Sequence, residues 1–248
     1  MLGGTDLIIA LFVVFLGSVV YSTVSFGMGL VIVPFLLLFV LPIEAVIIVD
    51  ILIAIVALSV AFEARREIVW NKTYVLIIGA AVAIPIGAYA LDVTDPTILK
   101  LVIGGTIIML GIISLLGINV PLAKNRVTGF AIGFVTYLCI TALGIGGPLS
   151  AWYAIAQRWT VNQTRGTLSA YFIVANLLAL FCYISMGMVT ADIWINTALL
   201  TPATFAGILV SRPLVKRLKL STFRYVSIAI IFLGGITLLA RELYKLLV

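Results

Sequence analysis

Histidine is absent from the 248 residues, and cysteine occurs only twice. Without histidine there can be no Ser-His-Asp or Cys-His catalysis, no HExxH zinc site and no histidine-ligated haem. Cys139 and Cys182 lie inside apolar runs, where a thiol reads as a small core side chain and not as half of a disulfide or metal pair. A G-x-x-x-x-G-K-[ST] segment is also missing, so the chain holds no P-loop. Charge is scarce: Asp, Glu, Lys and Arg make up 10% of the residues, whereas 64% are hydrophobic. A soluble domain carries about 25% charged and about 45–50% apolar residues. The lipid bilayer must therefore be the solvent for most of this chain. The net charge of +6 then reads as basic loops facing anionic lipid and not as a nucleic-acid surface. No metal and no cofactor is expected. The segment Met1–Asp6 carries no basic residue and no A-x-A-like cleavage site follows, so the first apolar run reads as a retained membrane helix.

What is there is a series of charge-free runs: Leu7–Ile43, Ile51–Phe62, Thr73–Leu91, Leu101–Ala123, Val127–Gln157, Gly166–Ala191, Ile193–Ser211 and Tyr225–Ala240. Most suit one crossing of roughly 20 residues. The second becomes a helix of about Glu44–Phe62 once Asp50 is admitted to it. Two runs fit badly, the first with 37 residues and the fifth with 31. Each is too long for one helix and too short for two full ones with a turn. Both contain a glycine break, Gly27-Met28-Gly29-Leu30 with Pro34 beyond, and Gly144-Ile145-Gly146-Gly147-Pro148. Glycine adopts positive φ freely and proline favours a first helical turn. Each run thus reads as a helix, an intramembrane turn and a shorter helix; a kinked single span is the alternative.

Loop charge chooses between them. If each broken run returns to its starting side, then Arg65, Arg66, Lys72, Lys124, Arg126, Arg158, Arg165, Arg212, Lys216, Arg217, Lys219 and Arg224 share one side, twelve of the fifteen basic residues. Asp6, Glu44, Asp92, Asp95, Asp192 and Glu242 collect opposite, with Lys100, Arg241 and Lys245. The expected fold is an all-α integral membrane protein of about eight membrane helices plus two half-helices. Each half, 1–120 and 121–248, is a helix-break-helix hairpin plus three crossings. The odd number of crossings inverts the second half relative to the first. The basic loops are expected in the cytoplasm and both termini outside.

A shift of 117 residues superposes Gly27 on Gly144, Gly29 on Gly146, Pro85 on Pro202, Pro96 on Pro213 and Gly117 on Gly234. Inverted repeats with broken helices mark secondary transporters. The paired glycine motifs, the proline after each and the helix number resemble the bacterial sulfite exporter TauE/SafE family across nearly the whole chain. The second motif matches well, whereas Leu30 replaces a glycine in the first. The resemblance implies export of sulfite, an organosulfonate or a related small oxyanion across the inner membrane.

The residues themselves support an anion. A helix restarting at Gly29 or Pro148 points unpaired N–H groups and a positive dipole end into the break, and Gly27, Met28, Gly29, Gly144, Ile145, Gly146 and Gly147 form the two turns. Ser22 and Ser25 precede the first break, and Tyr137 and Thr141 the second; these hydroxyls either face a solute or bond a carbonyl one turn back. Arg165, Ser169, Phe172 and Asn176 follow at helical spacing. Arg165 either draws anions into a cavity or snorkels to the interface. Asp50 is the one acid well inside a crossing; it serves a proton relay, or else is a satisfied carboxyl in a small-residue seam with Ala54, Ala57 and Ala61. Gly79, Ala83 and Gly87, and Gly129 with Gly133, read as helix-packing contacts. Trp70, Trp152, Trp159 and Trp194 suit an aromatic belt. The leading reading is a secondary transporter of a small anion working by alternating access with the proton gradient. An anion channel and a non-transporting scaffold are the alternatives, and a homo-oligomer is left open.

Overall fold

With no water in the hydrocarbon core, every backbone N–H and C=O must be satisfied within the chain, which makes apolar segments of this length helical. The computed structural model describes residues 2–116, 125–217 and 237–238, with side chains for 2–112, 125–213 and 237–238. All elements among them are helical: α1 (Gly4–Val24), α2 (Met28–Leu36), α3 (Pro42–Glu63), α4 (Trp70–Val93), α5 (Pro96–Leu116), α6 (Arg126–Leu143), α7 (Gly147–Ala156), α8 (Val161–Ser185) and α9 (Ala191–Arg217), with a 3-10 turn at Arg65–Glu67. Six of these, α1, α3, α4, α6, α8 and α9, are long and apolar enough to cross a membrane. The crossing expected over 225–240 lies outside the described residues apart from Thr237 and Leu238. So do Gly117, Lys124, Lys219, Arg224, Gly234, Arg241, Glu242 and Lys245.

The helix starts have local causes. The Asn125 side chain accepts from the Thr128 N–H at 2.8 Å and caps α6. Thr160 and Gln163 form a capping box on α8, each satisfying the other's orphan backbone N–H. Asp95 accepts the Thr97 N–H at 2.8 Å at the head of α5; that bond, above all, holds its exposed carboxyl below the usual carboxylate range. Pro42 occupies the first turn of α3, where its missing N–H costs nothing.

Both long charge-free runs break where the glycines stand. α1 ends at Val24 and α2 begins at Met28; α6 ends at Leu143 and α7 begins at Gly147. Each short helix then runs back along its predecessor. Ile32 of α2 lies against Gly17 of α1. In the second hairpin Ser150 donates to the Thr136 hydroxyl at 3.2 Å, and the Tyr153 hydroxyl reaches Gly129. A kinked single span is thereby excluded for both runs.

Interhelical contacts fix the directions. The Arg165 guanidinium meets Glu63 and the Tyr183 hydroxyl meets Asp50, so α3 and α8 are antiparallel. Gly79 and Gly87 of α4 abut Phe130 and Thr141 of α6, so those two run parallel. Gly207 of α9 abuts Phe15 and Ser18 of α1, and the Asn196 side-chain Oδ1 accepts the Leu2 N–H at 2.9 Å, so α1 and α9 are parallel as well. The ends of the bundle differ in charge accordingly. Arg65, Arg66, Lys72, Arg126, Arg158, Arg165 and Arg212 lie at one end, with Asp6, Glu44, Asp92, Asp95 and Asp192 at the other.

The small residues assigned to packing do that work. A Cβ on Gly133 would run into the Leu76 carbonyl, and one on Gly79 into the Phe130 carbonyl. Two tryptophans depart from expectation. Trp70 and Trp194 are about half exposed at the heads of α4 and α9, as a belt requires, but Trp152 and Trp159 pack against the core, the latter edge-on to Tyr153 at 5.6 Å. The short α7 folds back against α6, which brings these two tryptophans onto protein. Cys139 and Cys182 are free and half-buried.

Gly133→Ala is expected to destabilise the bundle by about 1–3 kcal/mol through overpacking against backbone that cannot yield. Gly105→Ala, whose Cβ meets open space, should instead gain about 0.5–1 kcal/mol from the helix interior. Thermal unfolding in detergent measures both; equal midpoints would refute the seam.

Candidate functional site

The two breaks meet each other. A Cβ on Gly29 would overlap the Gly144 carbonyl oxygen, and one on Gly147 would lie 3.0 Å from the Gly27 backbone nitrogen. Backbone therefore packs on backbone where the first hairpin touches the second. The turns need particular conformations. Ser25 (φ 64), Gly27 (φ 89) and Gly144 (φ 71) are left-handed, a region that disfavours side chains other than short polar ones. Gly146 at φ −174 is merely extended; it is small because a Cβ would meet the Thr136 carbonyl. Met28 and Ile145 are fully buried beside these glycines.

In α2 the first intrahelical bond is Val31 N–H to Gly27 at 3.3 Å. The N–H groups of Met28, Gly29 and Leu30 thus have no acceptor within the helix, and they open towards the second reversal. In α7 the Leu149 N–H turns back to Gly146 at 3.1 Å and Pro148 has none to offer. The anion-favouring helix end is accordingly stronger in the first hairpin.

The hydroxyls divide into two groups. Thr141 bonds the Tyr137 carbonyl one turn back at 2.6 Å. The single Tyr137 hydroxyl proton lies between the Asn176 Oδ1 at 2.9 Å and the Phe172 carbonyl at 3.1 Å. Both are engaged internally. Among the described residues Ser22 and Ser25 are buried without a partner at their hydroxyls, and the Asn176 Nδ2, the Arg165 Nε and the Asp50 Oδ1 are buried and unpartnered too. The Tyr21 and Ser169 hydroxyls neighbour one another without good hydrogen-bond geometry. A native fold leaves few such atoms unsatisfied; six of the eleven among the described residues stand on the end of α1 and the inward stripe of α8, and the others are on Asp50, Tyr153, Gln157, Asn196 and Thr197. Tyr21 packs edge-on to Phe172 with ring centroids 6.0 Å apart, which brings those two helices together.

The charged candidates are held by partners that the sequence does not announce. Arg165 is 8% exposed, so it does not snorkel. Its Nη2 donates to the Ser22 carbonyl at 3.1 Å and to Glu63 Oε2 at 3.2 Å. Glu63 also accepts from the Arg212 Nε at 2.9 Å. Asp50 is 1% exposed and accepts the Tyr183 hydroxyl at 3.0 Å. That hydroxyl also faces the Thr141 carbonyl at 3.1 Å. Reasoning from sequence does not single out Glu63 or Tyr183. The usable signal for Glu63 is its position, an acid standing among basic loops.

Gly27→Asn is expected to unfold at a higher temperature than Gly27→Val, because asparagine tolerates the left-handed region while a branched side chain is disfavoured there by about 1–2 kcal/mol. Thermal unfolding orders the two, and the reverse order would refute the assigned turn.

A family model described as Sulfite exporter TauE/SafE matches residues 9–238. No curated protein and no solved structure matches the chain.

Proposed function

The chain belongs to the sulfite exporter TauE/SafE family, and from that premise we propose that it exports a small anion such as sulfite, an organosulfonate or a related oxyanion by alternating access. That it is a multi-pass membrane protein of a transporter family follows from the match and the six apolar helices. The particular anion, the coupling and the residues are our reading.

Residues 1–120 and 121–248 act as two inverted repeats. Shifted by 117, the order α1 to α4 falls on α6 to α9. The pairing of α1 with α9 corresponds to that of α6 with α4, and α3 lies antiparallel to its own counterpart α8. Such symmetry lets a bundle present one central site to either side in turn. The basic end faces the cytoplasm of a bacterial inner membrane.

The anion reading rests on one observation: uncharged donors without partners among the described residues, the Ser22 and Ser25 hydroxyls at the end of α1 and the Asn176 amide on α8, in a bundle where α2 begins with free N–H groups. A helix end contributes roughly 0.3–2 kcal/mol and a hydrogen bond to a charged group about 1.5–3 kcal/mol. Several together are needed to replace the hydration of an anion. Gly27, Met28, Gly29, Gly144, Ile145, Gly146 and Gly147 shape the turn that the anion approaches, with Tyr137 and Thr141 holding the second hairpin against it. Arg165 sets a positive potential on the basic side while its ion pair with Glu63 offsets most of its charge. Asp50, buried with one oxygen unpartnered, takes up and releases the coupling proton.

Reconstitution into liposomes tests this. Labelled sulfite or sulfonate flux should saturate, show counterflow and respond to an imposed pH gradient; counterflow separates a carrier from a channel. Ser25→Ala should raise KM by up to about tenfold, the loss of one hydrogen bond. Asp50→Asn should abolish the response to the pH gradient while counterflow persists. Absence of saturable flux for every small anion tried would overturn the assignment.

A further inference from the structure

A C-terminal helix end leaves its last carbonyls without intrahelical donors. In α1 the Ser25 N–H satisfies the Tyr21 carbonyl; in α6 the Gly144 N–H satisfies that of Ile140. The next carbonyl in each, Ser22 and Thr141, takes its donor from α8: Arg165 for Ser22 and Tyr183 for Thr141. Each donor also meets an acid of α3: the Arg165 Nη2 donates to Glu63 at 3.2 Å as well, and the single Tyr183 proton is shared between the Thr141 carbonyl and Asp50 at 3.0 Å. The two arrangements are chemically parallel and lie at opposite ends of α8. Arg165 and Tyr183 are 18 residues apart, which is five turns, so both project from the same face about 27 Å from each other.

We propose that Glu63 and Tyr183 are positioning residues that close the central site from opposite sides, each clamping the tip of one hairpin through an orphan carbonyl. The Glu63–Arg165–Ser22 clamp closes the basic end and the Asp50–Tyr183–Thr141 clamp closes the acidic end. The inference rests on the alternating-access reading above. It adds the parts that alternate. Arg165 is essential to its clamp because a guanidinium forks between carbonyl and carboxylate, which a lysine ammonium does in poorer geometry. Among the described residues Arg212 meets Glu63 at the exposed rim, where an ion pair is worth little; it is outside the clamp proper.

The test needs no transported solute. In a Cys139→Ala, Cys182→Ala background, Ser25→Cys reports access to the buried tip, and a membrane-impermeant thiol reagent is applied to one face of sealed vesicles at a time. Glu63→Gln should raise the labelling rate from the basic face roughly tenfold, the effect of losing about 1.4 kcal/mol of closure, and leave the acidic face unchanged. Tyr183→Phe should do the reverse. Arg212→Ala should label at the parent rate. Should Glu63→Gln fail to fold, Arg165→Lys breaks the same fork and should give the same one-sided increase. Equal rises from both faces, rates at the parent value for both clamp variants, or an Arg212→Ala effect as large as that of Glu63→Gln would each overturn the clamps. If labelling follows this pattern while no anion is carried in liposomes, the solute assignment fails and the clamps stand. Normal carriage without one-sided labelling removes the clamps and leaves the solute assignment in place.

Discussion

Backbone laid on backbone at Gly29 and Gly144 is the constraint on which the rest of the structure depends. No side chain fits between the two turns, so the hairpins can touch only if both are built of glycine at that point. Irregular backbone at membrane depth is tolerated only where protein or water covers it. The long helices accordingly enclose the tips, and the seams that pull them in are themselves made of glycine: Gly79, Gly87 and Gly133 between α4 and α6, and Gly207 against α1. In lipid such close approach replaces the hydrophobic drive that would assemble a soluble core. The same residue type thus makes the turns possible and draws the bundle around them.

Charge inside the bundle is used sparingly. Asp50 and Arg165 are the buried charged side chains among the described residues, and each has a designated partner. Breaking the Arg165–Glu63 pair leaves an uncompensated charge, so that pair is suited to fixing geometry. Apart from the Arg165 Nε, the unpartnered donors on the end of α1 and on α8 are uncharged. A site of neutral donors and helix ends can hold an anion weakly enough to let it leave, which carriage requires as much as entry does.

Much of this is legible in the order of the residues. The two breaks, their return to the starting side, the glycine seams and the inward stripe of Arg165, Ser169 and Asn176 follow from run lengths, loop charge and helical periodicity. The partners of the charged residues do not. Asp50 and Tyr183 are 133 residues apart, and Arg165 and Glu63 are 102 apart; periodicity tells which face of a helix turns inward but not which helix it will meet. The fate of each hydroxyl is equally hidden. Thr141 bonds back along its own helix whereas Ser22 and Ser25 do not. Serine at the very end of a helix has lost the geometry that favours back-bonding, which explains Ser25, yet Ser22 is helical and differs only in what packs against it. Trp152 and Trp159 pack on the core and not in a belt because α7 folds back against α6, which lays both on protein.

The disposition of donors on α8 bears on how the two sides could be prevented from opening together. A helix without an internal proline, such as α8, has no ready kink and moves largely as a rod. Its donor to the first hairpin and its donor to the second stand on one stripe, near opposite ends. α3 lies antiparallel beside it and offers Glu63 to the one and Asp50 to the other. A rocking of α8 against α3 that draws Arg165 from Ser22 presses Tyr183 towards Thr141, and the opposite rocking exchanges them. On the proposed alternating access, exclusive opening needs no signal relayed through the core, because a rocking of one rigid element that frees one closure presses the other.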